Sequence, residues 1–340
     1  MSLPEYNFLS APLWLITSLH ILTLSLHFAA MNFLVGGIII ILWGRFRNRW
    51  DDPTVQMFVQ LFPTAVAATV TLGVAPLLFL QLVYHRQAYS ASIVSGWFWL
   101  MVIPAMIIGY YFVYGAAFSK KSSGTGRAVE LTIALAMFLY VSIVYSSVFS
   151  MAERPDEIKR LYALDQSGLT FNPEVGDFLL RWLHMIFGAI TVGGFFVGLL
   201  GRSNEQAFRV GKGFFLWGMI FASVAGLAYL LSLDEYLRGF MRSPAIWSLT
   251  IGILLFSGSI HFFMKRRFLP SSIMLFVSLV TMVINRHYVR LLKLGGQFEP
   301  SSLAVSPQWS VFAMFLICFL VAVGAVWYML RLYFRERPVA

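Results

Sequence analysis

The chain is 340 residues long, 59% hydrophobic and only 12% charged, with a mean hydropathy of +0.76. Soluble chains carry about 25% charged residues, so a water-soluble globule is excluded and an all-α, polytopic membrane protein is expected. The formal charge of +10 by itself would suit nucleic acid, but the basic residues form no single patch and instead recur in small groups beside successive apolar runs, so no nucleic-acid partner is expected.

A bilayer core of about 30 Å needs about 20 apolar residues per helix, and nine such stretches follow in order: 12–43, 55–85, 95–118, 128–150, 177–200, 212–233, 244–264, 268–292 and 309–332. Between them lie Arg45, Arg47 and Arg49; Lys120, Lys121 and Arg127; Arg202, Arg209 and Lys212; Lys265, Arg266 and Arg267; and finally Arg331, Arg335 and Arg337. Every second connection is basic, which places these segments and the C-terminus in the cytoplasm and the N-terminus in the periplasm of a bacterial inner membrane. No basic n-region or small-residue cleavage site accompanies the first apolar run, so it is expected to stay as a helix. Pro63, Pro76 and Pro104 are expected to interrupt spans two and three. The longest outer connection, 151–176, mixes charges such as Glu153, Arg154 and Asp156 with Ile158, Leu161, Tyr162 and Leu164, a pattern for a short interfacial helix.

An internal repeat links spans one and five. Leu26-His27, Val35-Gly36-Gly37 and Gly44-Arg45 match Leu183-His184, Val192-Gly193-Gly194 and Gly201-Arg202 at a constant offset of 157 positions. The expected organisation is a first four-helix bundle (1–150), the outer loop (151–176), a second four-helix bundle (177–292) and an extra ninth helix (309–332).

The polar groups inside these spans carry the chemistry. The single cysteine, Cys318, excludes disulfides and covalent c-type haem. Counted at about 1.5 Å per residue from the basic ends, His27, His184 and His287 lie about 27–30 Å up, with His20 and His85 at a similar outer level. His261 sits beside Lys265–Arg267 and is expected only to snorkel with them. Arg86, Arg181 and Arg286 flank three of the outer rings. Neutral imidazoles for iron, apolar walls and cations for propionates are the ingredients of a haem b site, so His20, His27, His85, His184 and His287 are candidate iron ligands and Arg86, Arg181 and Arg286 candidate cofactor contacts. Depth suggests pairing His184 with His287, and His20 or His27 with His85. Asp234, Glu235 and Arg238 at the end of span six are candidate quinone contacts, with Asp177 and Arg181 as another possibility.

Leu19-His20 and Trp182-Leu183-His184-Met185, followed by Gly188 and Gly193, resemble helices one and five of subunit I of the cytochrome bd quinol oxidases. Nine spans and an outer N-terminus fit the same family. The resemblance implies that His184 is an axial ligand of a b haem and that His20 or His27 ligates a haem in the first bundle. The departures are specific. Span seven, Ile246–Gly252, has no methionine ligand, span three has no carboxylate for oxygen chemistry, and the quinol loop is reduced to Leu233–Ser243.

The reading that follows is an electron-transfer subunit with two b haems, exchanging electrons between quinone and a periplasmic c-type cytochrome or other redox subunit. No residue of the chain is assigned a catalytic role. The alternatives are a terminal quinol oxidase of the bd type, or a cofactor-free anchor or transporter, the last disfavoured because no Asp, Glu, Lys or Arg falls at mid-membrane.

Overall fold

The computed structural model describes residues 8–46, 50–118 and 124–336, without the side chains at 8, 45, 46 and 333–336. Arg47, Arg49, Lys120, Lys121 and Arg337 therefore lie outside the described residues. The fold is all-α: α1 (Leu13–Phe46), α2 (Pro53–Val83), α3 (His85–Val94), α4 (Gly96–Leu100), α5 (Val102–Phe118), α6 (Gly124–Met151), α7 (Pro155–Leu164), α8 (Val175–Leu200), α9 (Glu205–Leu231), α10 (Leu237–Arg242), α11 (Pro244–Met264), α12 (Phe268–Leu294) and α13 (Trp309–Glu336). Among the described residues nine spans are long and apolar enough to cross a membrane, α4 and α5 together making the third. The chain is thus a multi-pass membrane protein.

It divides into two compact units, 18–299 and 1–17 with 300–340. In the second, a two-residue strand β1 (Phe8–Leu9) pairs in parallel with β2 (Ala304–Val305), Phe8 opposite Ala304. The Ser306 and Gln308 amides extend the pairing by donating to the carbonyls of Leu9 and Ser10.

Helix starts in the larger unit follow local chemistry. The Asp52 carboxylate caps α2 by accepting from the Thr54 amide at 2.7 Å, and Asn204 caps α9 in the same way through the amides of Gln206 and Ala207. Pro53, Pro155 and Pro244 occupy the first helical position, where a missing N–H costs nothing. Pro63 and Pro76 do not interrupt span two, contrary to expectation. α2 is one helix through both, whereas span three is interrupted at Met101, between α4 and α5 and three residues before Pro104. The connection 151–176 does contain a short helix, α7, with Ile158 and Leu161 buried and Tyr162 and Leu164 exposed.

Lipid tails supply no hydrophobic drive between helices, so close backbone approach and van der Waals packing hold the spans together. Gly36 of α1 meets Gly193 of α8, its own repeat counterpart. A Cβ on Gly193 would stand 2.6 Å from the Gly36 carbonyl carbon, and one on Gly36 would collide with the Ala189 carbonyl. Contact between equivalent positions sets a pseudo-two-fold axis at this crossing. Further pairs obey the same relation: Gly37 lies against Phe62, while Gly194 lies against the backbone of Phe215, the counterpart of Phe62 in α9. At the basic end the two equivalent caps touch, Asn204 Nδ2 donating to Asp52 Oδ2 at 3.4 Å. Glu205 pairs there with Arg266, whose guanidinium lies over the Phe208 ring.

Candidate functional site

Three histidines are fixed by neighbouring backbone in one manner. Nδ1–H of His27 donates to the Thr69 carbonyl at 2.9 Å, that of His184 to the Ala222 carbonyl at 2.8 Å, and that of His20 to the Pro76 carbonyl at 3.0 Å. A carbonyl only accepts, so Nδ1 carries the hydrogen and, in the neutral ring, Nε2 carries the lone pair. This is the outer hydrogen bond that orients an imidazole toward a metal and raises its basicity.

His27 and His184 are pseudo-symmetric down to their supports. A glycine four residues beyond each accepting carbonyl, Gly73 on α2 and Gly226 on α9, makes room for the ring. A Cβ there would stand 2.8 Å from His27 Cε1 or 2.7 Å from His184 Nδ1. Around these rings the packing loosens. Trp182 through Gly188 are half-buried right round α8, as are His27 through Met31 on α1, whereas most of 34–41 and 189–198 is tightly buried. One turn after His184, a Cβ on Gly188 would meet nothing within 4 Å. The repeat therefore carries two anchored imidazoles with Nε2 lone pairs, each on a helix with room beside it.

The other candidates separate. His20 is buried, and both His287 and Arg290 of α12 are its electrostatic neighbours. His85 opens α3 beyond the end of α2 and is half-buried, with Arg86 exposed. His261 is exposed near the basic end. Asp234 and Glu235 are exposed on the short connection before α10, Asp234 with φ +45°, and Arg238 is exposed in the first turn of α10. Among the described residues no three His, Cys, Asp or Glu side chains gather to hold a bare metal ion. A haem needs only one or two imidazole ligands, fewer donors than a caged ion.

Sequence reasoning missed the main polar centre. Glu153, read as part of a charged loop, is 2% exposed and pairs with Arg286. Its Oε1 also faces Arg290 Nε at 3.4 Å, and its Oε2 faces Arg181 at 4.0 Å. Burial alone would raise its pKa, but Arg286, Lys293, Arg181 and Arg290 together hold it below the ordinary value. Asp177 pairs with Lys293 at 2.6 Å and accepts from Ser150. Arg181 donates to the Ser146 carbonyl. Arg181 and Arg286 are therefore bound into this cluster by internal partners. The only advance signal was the density of cations in Arg286-His287-Tyr288-Val289-Arg290 at the end of an apolar span.

These features define the class: an all-α, multi-pass protein of lipid membranes, internally duplicated, with paired anchored histidines and a buried ionic cluster at one end. No family model, curated protein or solved structure matches the chain.

Proposed function

We propose that the chain is a haem b electron-transfer subunit, a shortened relative of subunit I of the cytochrome bd quinol oxidases. It would pass electrons between the quinone pool and a periplasmic redox partner in the bacterial cytoplasmic membrane, with the basic end inside. The observation that carries this reading is the pair of symmetry-equivalent imidazoles, His27 and His184. Each is oriented by an Nδ1 hydrogen bond to a neighbouring span and lies beside helix turns that neighbours do not fill. These two residues would hold one haem each, with His287 completing the site of His184 and His85 that of His27, and with His20 as the alternative to His27 on α1. A bound haem supplies one-electron chemistry; the protein supplies orientation, exclusion of water and charge. Asp234, Glu235 and Arg238, exposed at the histidine end, offer hydrogen bonds to a quinone headgroup.

The test is a reduced-minus-oxidised spectrum of the purified protein with pyridine haemochrome quantification. Two b haems are expected, and His27→Ala and His184→Ala should each remove one. A colourless protein from haem-replete cells overturns the reading. Absorbance changes with carbon monoxide would favour the oxidase alternative, because bis-imidazole coordination leaves no site for a gas.

A further inference from the structure

The ionic cluster does not balance. Among the described residues Arg181, Arg286, Arg290 and Lys293 face two carboxylates, Glu153 and Asp177, and Arg181, Arg290, Lys293 and Glu153 are each at most 8% exposed. Glu153 is taken by Arg286 and Asp177 by Lys293 at 2.6 Å. That leaves Arg181 and Arg290. Arg181 is compensated by the Ser146 carbonyl and hydroxyl near the end of α6, where the helix dipole is worth about half a negative charge. Arg290 has only a share of Glu153 Oε1 at 3.4 Å, and its guanidinium lies over the Tyr84 ring, 5.4 Å from its centroid. An unmatched buried charge costs several kcal/mol, so this guanidinium calls for a counter-ion.

A second feature points to the same place. Among the described residues the buried Tyr84 hydroxyl has no hydrogen-bond partner in good geometry, Arg290 being its charged neighbour. A donor and a cation therefore converge at the outer end of α2 and α12, the level of phosphates and carboxylates at a membrane surface.

We propose that Arg290 and Tyr84 form a binding site for one oxyanion of phosphate-diester or carboxylate type, carried by an amphipathic molecule at the headgroup level. Arg290 contributes a charge-assisted hydrogen bond and Tyr84 a neutral one. The two sources of such a group are an anionic phospholipid and a propionate of a bound haem. The charge imbalance stands without the haem reading above.

The experiment uses the full chain, delipidated in detergent. In one arm phosphatidylglycerol and phosphatidylcholine are titrated against thermal unfolding, and retained phosphorus is measured. In the other, haem and its dimethyl ester are compared by binding titration. Preference for phosphatidylglycerol that Arg290→Gln weakens about tenfold or more assigns the lipid phosphate. Preference for haem over its ester, lost in the same variant, assigns the carboxylate. Arg290→Lys should restore part of either preference. If Arg290→Gln does not fold, Tyr84→Phe removes only the hydroxyl and should weaken the preferred anion several-fold. Equal binding of all four probes by the wild type, or preferences unchanged in these variants, overturns the proposal.

Discussion

Glu153 shows how a single residue changes character when the chain folds. Its neighbours in sequence, Arg154, Pro155 and Asp156, read as a solvated connection, yet α8 and α12 bring Arg181, Arg286 and Arg290 to it. Replacing it by Gln leaves those guanidinium groups without their carboxylate, and a loss of about 3–5 kcal/mol is expected, measured as reduced thermal and denaturant resistance in detergent. The pH dependence has a definite sign. A carboxylate held below its ordinary value of 4.5 contributes stability that is complete above that pH and declines as pH falls through the lower folded value. Wild type and Glu153→Gln should therefore differ constantly through neutral pH and converge in acid. A gap that instead widened in acid would refute the assignment. At the same scale, the Nδ1 hydrogen bonds of His27 and His184 depend on carbonyls 42 and 38 residues away in sequence, so no local pattern could have revealed them.

Among the elements, glycine acts in two opposite ways. At the α1–α8 crossing it permits contact: Gly36 and Gly193 touch backbone to backbone, and Gly36→Val should cost about 1–3 kcal/mol or more through overpacking. Gly44, with nothing within 4 Å of its Cβ position, is the control, and Gly44→Ala should be nearly neutral. One turn past His184 glycine instead keeps room open. Gly188→Leu should leave thermal stability close to wild type while lowering haem content at that site; full haem occupancy in this variant would mean that the space beside α8 has another purpose. Helix α2 makes a related point about proline. Pro63 and Pro76 are expected to break the span, but α2 runs through both; helices in a membrane tolerate proline where the groups around the missing N–H find other partners.

For the whole molecule, the repeat is the organising fact. Duplication places His27 and His184, Gly36 and Gly193, and the caps Asp52 and Asn204 in equivalent positions about one axis. The symmetry is broken at the histidine end, where His20 of α1 corresponds to Asp177 of α8 and the ionic cluster gathers from α6, α8 and α12. An electron-transfer protein of this form would have two similarly ligated sites in unlike electrostatic surroundings. Two resolvable steps in a redox titration are the expected result; one two-haem wave unaffected by Glu153→Gln would contradict it.

Apolar run lengths, the alternation of basic connections and the 157-residue offset required no folding to read, because each depends on local composition or on identity at fixed spacing. They were enough for nine spans, the all-α class, the duplication and the histidine-bearing end. Which imidazoles are anchored, that Glu153 is buried, that Arg290 lacks a carboxylate of its own and that Gly36 faces Gly193 were decided only by tertiary structure. Each of these depends on which faces of distant helices meet, and side-chain periodicity within one uniformly apolar span does not encode that choice.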